Sequence, residues 1–156
     1  MNKNKKKKLM DLDLFHNSSF DLFIKESNLI NAGYGVFTYD FIPKGSFIDY
    51  YVGDIYESSF GGTYYFYIND QYGIDAFNQP RCYMAMLNDA NFNLTVRNKN
   101  KKNKRKNKNN IPIINSYSNN CEFRVNEVEL EVMVYSKENI EAGTELFISY
   151  GSDYWK

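Results

Sequence analysis

Thirteen of the nineteen basic residues stand in two blocks, and this segregation decides which part of the 156-residue chain can build a core. Lys3, Lys5, Lys6, Lys7 and Lys8 open the chain. Eight more basic residues lie between Arg97 and Lys108, inside a stretch from Ala90 to Asn120 that carries no acid. Residues 98–110 are almost purely Asn, Lys and Arg, a composition with too little apolar surface to offset the entropy of ordering the chain. The sequence therefore predicts a basic flexible tail over residues 1–16 and a Lys/Asn-rich insertion loop over 97–110. Outside the two blocks, Lys25, Lys44, Arg81, Arg124, Lys137 and Lys156 face all nineteen carboxylates. Six cations against nineteen anions leave the body at −13, which the formal net charge of zero conceals.

That body has material for one domain. The chain is 43% hydrophobic and 17% aromatic, which excludes wholesale disorder. Two cysteines, Cys82 and Cys121, are too few for a disulfide scaffold. A four-ligand zinc site would need both of them, the single His16 and a carboxylate together, so no metal is expected. No apolar run is long enough to span a bilayer, and no apolar segment follows the charged start as in a secretory signal. A reduced, intracellular protein is the expectation. The basic blocks lack interleaved aromatics, so they offer no base-stacking platform and at most weak phosphate contact through residues 97–108. The field of the acidic body attracts a basic peptide and repels DNA.

From Asp21 onward the pattern is of short strands between glycine turns. Residues 21–25 alternate loosely, Gly33-Tyr34-Gly35 breaks the chain before Val36-Phe37, and Pro43-Lys44-Gly45 turns into a strand over 47–52. Residues 63–68 are aromatic and β-branched, as strands prefer, and 73–76 form another short strand. The best helix candidate is Gln79 to Ala90, about three turns long. Residues 128–135 place Val128, Leu130, Val132 and Val134 on one face, a half-buried strand. One internal echo stands out: Ile42-Pro43-Lys44-Gly45-Ser46 and Ile140-Glu141-Ala142-Gly143-Thr144 both read as a turn followed by a strand that ends in tyrosine.

Six segments, in order, carry a resemblance. Ala32 to Phe37 is glycine-containing, and Ile42-Pro43-Lys44-Gly45 is followed by Tyr51-Val52-Gly53-Asp54. Gly73-Ile74-Asp75-Ala76 precedes Ala85-Met86-Leu87-Asn88-Asp89-Ala90, and Asn119-Asn120-Cys121-Glu122-Phe123 follows the basic insertion. Ile140 to Gly151 closes the set. Together they resemble the SET domain of protein lysine methyltransferases, with its "Y-x-G-E", "R-F-I-N-H-S", "P-N-C-x-F" and "I-x-x-G-E-E-L-x-x-x-Y-G" segments. The match covers residues 20–155, and the minimal layout is most similar to small stand-alone SET proteins such as those of large DNA viruses. This sequence departs from the family at Ala85, where an Arg is usual, at Asp89, where a His is usual, and in the insertion between Asn88 and Asn120.

The resemblance implies a mainly β fold, with several small sheets around a knot-like C-terminal arrangement and one or two short helices. It implies transfer of a methyl group from S-adenosylmethionine to a lysine ε-amine of a basic protein or histone-tail peptide, which would tie the chain to chromatin and the nucleus, a host nucleus for a viral protein. Tyr150 takes the catalytic position. Gly33, Tyr34 and Gly35 would bring backbone close to the methionyl part, Asn88 would use its amide and Asp89 its backbone. Trp155 either stacks on adenine or packs in a core or interface. Tyr51, Phe123, Ile148 and Tyr150 would line the lysine channel, although a one-residue register slip would exchange Tyr51 for Tyr50. Phe123 and Ile148 carry no hydroxyl to hold a water, so more than one methyl should fit. Cys121 reads as a small buried hydrophobe. A SET-like module that binds a peptide or partner without turnover is the alternative, and a homodimer stays open.

Overall fold

The computed structural model describes residues 12–57, 61–91 and 117–151. Among the described residues, ten short strands make four small sheets. β1 (Leu14–Phe15) pairs in parallel with β8 (Arg81–Cys82), and β2 (Leu22–Glu26) forms an antiparallel pair with β3 (Tyr34–Thr38). β4 (Phe47–Tyr51), β10 (Glu131–Ser136) and β9 (Cys121–Asn126) form one antiparallel sheet with β10 in the centre. β5 (Asp54–Glu57), β7 (Tyr72–Asp75) and β6 (Tyr65–Tyr67) form another with β7 in the centre. Part of the segment predicted as a tail over 1–16 is built into the fold: Leu14 and Phe15 are fixed by the β8 ladder, and the Arg81 N–H donates to Asp13 O at 2.8 Å. Residues 1–11 and the insertion 97–110 lie outside the described residues.

Two predictions from local pattern need correction. The three-turn helix over 79–90 is not formed; the segment holds β8 and a single 3-10 turn, Tyr83–Met86, the one helical element among the described residues. Leu87 is extended (φ −65°, ψ 134°), and the Asn88 carbonyl accepts the Ile148 N–H at 2.9 Å, so tertiary pairing takes the backbone groups that a helix would have used. The strand expected over 128–135 starts at Glu131. Cys121–Asn126 pairs with Glu131–Ser136 in unbroken register, which leaves residues 127–130 to turn the chain. Asn126 Oδ1 accepts the N–H groups of Val128 and Glu129, both at 3.1 Å, as asparagine does in such turns, and Val128 is 88% exposed. Val132 and Val134 are buried as predicted.

The sequence echo is a structural pair. Ile42 and Ile140 face each other across an antiparallel bridge and exchange two backbone hydrogen bonds of 2.9 Å. Gly45 (φ +80°) donates to Ser136 O, and Gly143 (φ +83°) donates to Thr38 O, the equivalent atom of the other copy. Both turns need the left-handed region that glycine enters without strain. Two like turns thus bind one another about a local two-fold axis, with both isoleucines buried in the main core beside Val36, Ile48 and Leu146.

The C-terminal segment is threaded. Glu145 bridges Phe37, Phe147 bridges Asn88, and Ile148 bridges Cys121, so one extended stretch pairs with three distant parts of the chain. Asn120 side-chain atoms complete the crossing: its amide donates to Glu145 O and its oxygen accepts the Phe147 N–H, both at 2.9 Å. This is the knot-like arrangement expected from the motifs. Ile140→Ala, which empties one half of the turn pair, should lower unfolding free energy by about 2–5 kcal/mol. Chemical denaturation checks this.

Candidate active site

The crossing leaves a cavity of about 700 Å³ beside it. Its polar lining includes Gly33 and Tyr34, at the start of β3, with Asn88 and Asp89. Its aromatic lining includes Tyr51 from the end of β4, Tyr64 and Phe66 around β6, Phe123 of β9 and Tyr150. Volumes of about 300–1,000 Å³ are usual for small-molecule sites. The register ambiguity at β4 is resolved by burial: Tyr51 is 6% exposed and lines the cavity, whereas Tyr50 is 39% exposed and packs against Phe47 on the outer face. Tyr51 pairs with Val132, whose side chain is in the core, and that pairing fixes which face Tyr51 takes.

The aromatic wall is held by hydrogen bonds to backbone. The Tyr51 hydroxyl donates to Tyr64 O, and the Tyr150 hydroxyl donates to Leu87 O. Burial, then the Cys82 and Asp75 charges, pushes the Tyr51 phenol pKa up, so it remains a neutral donor. Phe66 and Phe123 stand edge to face at 4.8 Å, each also against Tyr51 at about 6 Å (5.8 and 6.1 Å). Arg81 also lines the cavity: its buried guanidinium lies 4.0 Å from the Tyr64 ring centre and donates to Ala76 O and Phe77 O.

The polar wall depends on Glu145, which is fully buried. Its carboxylate accepts Ser27 Oγ at 2.7 Å, the Asn28 N–H at 2.9 Å and Asn88 Nδ2 at 3.3 Å. Asn88 Nδ2 also donates to Tyr34 O at 2.9 Å, so both amide hydrogens are committed and the amide oxygen is what this side chain has left for a ligand. Burial raises the Glu145 pKa, and the bonds from Ser27, Asn28 and Asn88 oppose that rise.

The predicted residues divide cleanly. Gly33, Tyr34, Asn88, Asp89, Tyr51, Phe123 and Tyr150 meet at the cavity. Gly35 and Ile148 do not line it. A Cβ at Gly35 would fall 2.0 Å from Glu145 Oε1, so Gly35 is small to admit that carboxylate rather than a ligand. Ile148 is 1% exposed in the core, paired with Cys121. Gly33 has φ +76°, a left-handed conformation that glycine enters without strain, and no atom lies within 4 Å of a Cβ placed there. Trp155 lies outside the described residues. Cys121 is buried with a raised thiol pKa, due mainly to burial, as a small core residue would be. Sequence reasoning missed Tyr64, Phe66, Arg81 and Glu145. The 63–68 run held a signal for two of them, since Tyr64 and Phe66 alternate onto one face.

A family model described as the SET domain matches residues 33–151. The chain belongs to the SET-domain family. Its fold is similar to that of KRYPTONITE in a crystal structure with mCHG DNA and SAH, at TM-score 0.58 and 19% identity, covering 86% of this chain and 24% of that one. A humanized mutant of the Chaetomium thermophilum polycomb repressive complex 2 is similar at TM-score 0.59 and 20% identity, covering 86% and 15%. An active polycomb repressive complex 2 in the stimulated state gives TM-score 0.59 and 18% identity, covering 87% and 16%. This SET domain therefore spans about a quarter or less of those chains, and at these identities the likeness shows the fold. A search of curated proteins found no match.

The raised Glu145 pKa carries a sign. Between its ordinary value of 4.5 and the raised one, the folded state binds the extra proton, so stability falls as pH rises through that window. Wild type should lose more stability than Glu145→Gln between about pH 4 and about pH 7, measured by denaturant unfolding of both proteins at each pH.

Proposed function

We propose that this SET domain transfers methyl groups from S-adenosylmethionine to the ε-amine of lysine in a basic protein segment, with a histone tail as the leading candidate. The observation that carries this reading is one cavity lined both by Gly33, Tyr34, Asn88 and Asp89 and by the rings of Tyr51, Phe66, Phe123 and Tyr150. The structures of similar fold include KRYPTONITE with an H3(1-15) peptide and SAH, which supports both halves of the reading. Chromatin in the nucleus is where such a substrate would be met.

The donor set fits the cofactor. The backbone at Gly33 and Tyr34, the Asn88 amide oxygen and the Asp89 backbone would hold it, and Glu26, the β-ladder partner of Tyr34, adds a carboxylate to the wall suited to a cationic ligand. The cofactor would supply a methyl group activated by a sulfonium.

The chain itself must deliver a neutral amine. A free lysine has a pKa of about 10.4, so the neutral form costs roughly 4.6 kcal/mol at pH 7. Rings of Tyr51, Phe66 and Phe123 exclude water and lower that cost by desolvating the ammonium. They also present cation–π faces to the incoming side chain. The Tyr150 hydroxyl donates its proton to Leu87 O, and its oxygen would accept an amine N–H and so orient the lone pair. Alignment of this kind accounts for several kcal/mol of a displacement barrier, about 7–11 at the limit. Phe123 brings no hydroxyl to retain a water, which favours addition of a second or third methyl. The −13 body supplies the long-range attraction for a basic peptide.

Methyl transfer from labelled S-adenosylmethionine to core histones should occur with wild type and fall by at least about a hundredfold in Tyr150→Phe. Calorimetry should show the cofactor bound equally by both. Cofactor binding with no transfer to any basic substrate would favour a peptide-binding module, and absence of cofactor binding would overturn the proposal.

A further inference from the structure

Position 89 carries an acid where the family resemblance has histidine, and a carboxylate that is 1% exposed needs donors around it. Asp89 finds them in three separate stretches of chain. Its Oδ1 accepts the Asn91 N–H at 2.9 Å and Asn119 Nδ2 at 3.2 Å, and its Oδ2 accepts the Tyr150 N–H at 3.0 Å. Asn119 returns a bond in the other direction, its Oδ1 accepting the Ala90 N–H at 2.8 Å. The pair closes a ring of hydrogen bonds across the point where the chain departs at Asn91 and is again described from Tyr117. Hydrogen bonds to an ionised acceptor are about twice as strong as neutral ones, and these are shielded from water.

Tyr150 is thereby gripped at both ends by one segment. Its hydroxyl donates to Leu87 O and its amide donates to the Asp89 carboxylate. We propose that Asp89 is a positioning residue: its side chain, coupled to Asn119, sets the register of the Tyr150 segment against residues 87–89 and so aims the Tyr150 hydroxyl into the cavity. The acid at this position is a rewired support for the site rather than a lesion in it. The kinetic part of this inference rests on the methyltransferase reading; the structural part does not.

Two measurements on the full chain test it. Amide hydrogen exchange of ¹⁵N-labelled protein should show the Tyr150 amide exchanging at least about tenfold faster in Asp89→Ala, with the Val132 and Val134 amides of the core sheet unchanged. In methyl transfer, kcat should drop by about 10- to 100-fold while KM for S-adenosylmethionine changes by less than about threefold, since the backbone at position 89 is retained. Asp89→Asn keeps one oxygen for the Tyr150 amide and should recover part of both losses; it also serves if Asp89→Ala fails to fold. A Tyr150 amide as protected in both variants as in wild type would overturn the proposal. So would a uniform rise in exchange with kcat and cofactor affinity lost together. If wild type transfers no methyl at all, the functional reading fails, and amide exchange still decides whether Asp89 holds Tyr150.

Discussion

Everything at the site depends on the threading of residues 145–150 between three other stretches of chain. Residues 145–148 are buried, and an extended buried stretch must satisfy each N–H and C=O within the protein. It does so by pairing with Phe37, Asn88 and Cys121, while the Asn120 side chain takes the groups that the bridges leave over. Because Tyr150 continues this segment, its position is inherited from a crossing that no single sheet could provide. The same crossing explains why Asn88 and Asn120 can stand far apart in sequence: the Ala90 N–H and the Asn119 side chain meet beside it, so both ends of the intervening stretch are tied together.

The two walls of the cavity solve opposite problems. The polar wall keeps a buried Glu145 that is surrounded by donors and spends both amide hydrogens of Asn88, so what remains toward a ligand is acceptor capacity and glycine backbone. That is a surface for a cationic, polar molecule. In the aromatic wall the Tyr51 and Tyr150 hydroxyls donate to backbone carbonyls. On the proposed reading, that surface would take an apolar stem ending in an amine. On the same reading, such a site would separate the binding of a charged donor from the dehydration of the acceptor, and the acidic exterior would bring the acceptor in.

Much of this was legible in the sequence, for physical reasons that differ by element. Glycine turns and alternating strands are local, so β2, β3, β4 and β7 lie close to where their residues suggest. The ordered motifs pointed to Tyr150, Asn88, Tyr51 and Phe123, all of which reach the cavity. Misreadings came where distant chain overrides local preference. The 79–90 segment looks helical until Ile148 and Phe147 take its backbone into a bridge. Ile148 faces the core because Cys121 lies beside it, and Gly35 is small for the sake of Glu145, a residue 110 positions away by number. Asp89 read only as a departure from the family because its side chain's partners, Asn91, Asn119 and the Tyr150 amide, are brought together by the fold.

The most direct test of the account is a crystal structure of this chain with S-adenosylhomocysteine and a lysine-containing basic peptide. The account predicts the cofactor product against Gly33, Tyr34 and Asn88, and the lysine side chain between Tyr51, Phe123 and Tyr150, with its amine at the Tyr150 hydroxyl. A cofactor product bound elsewhere, or a peptide whose lysine stays outside the aromatic wall, would contradict it.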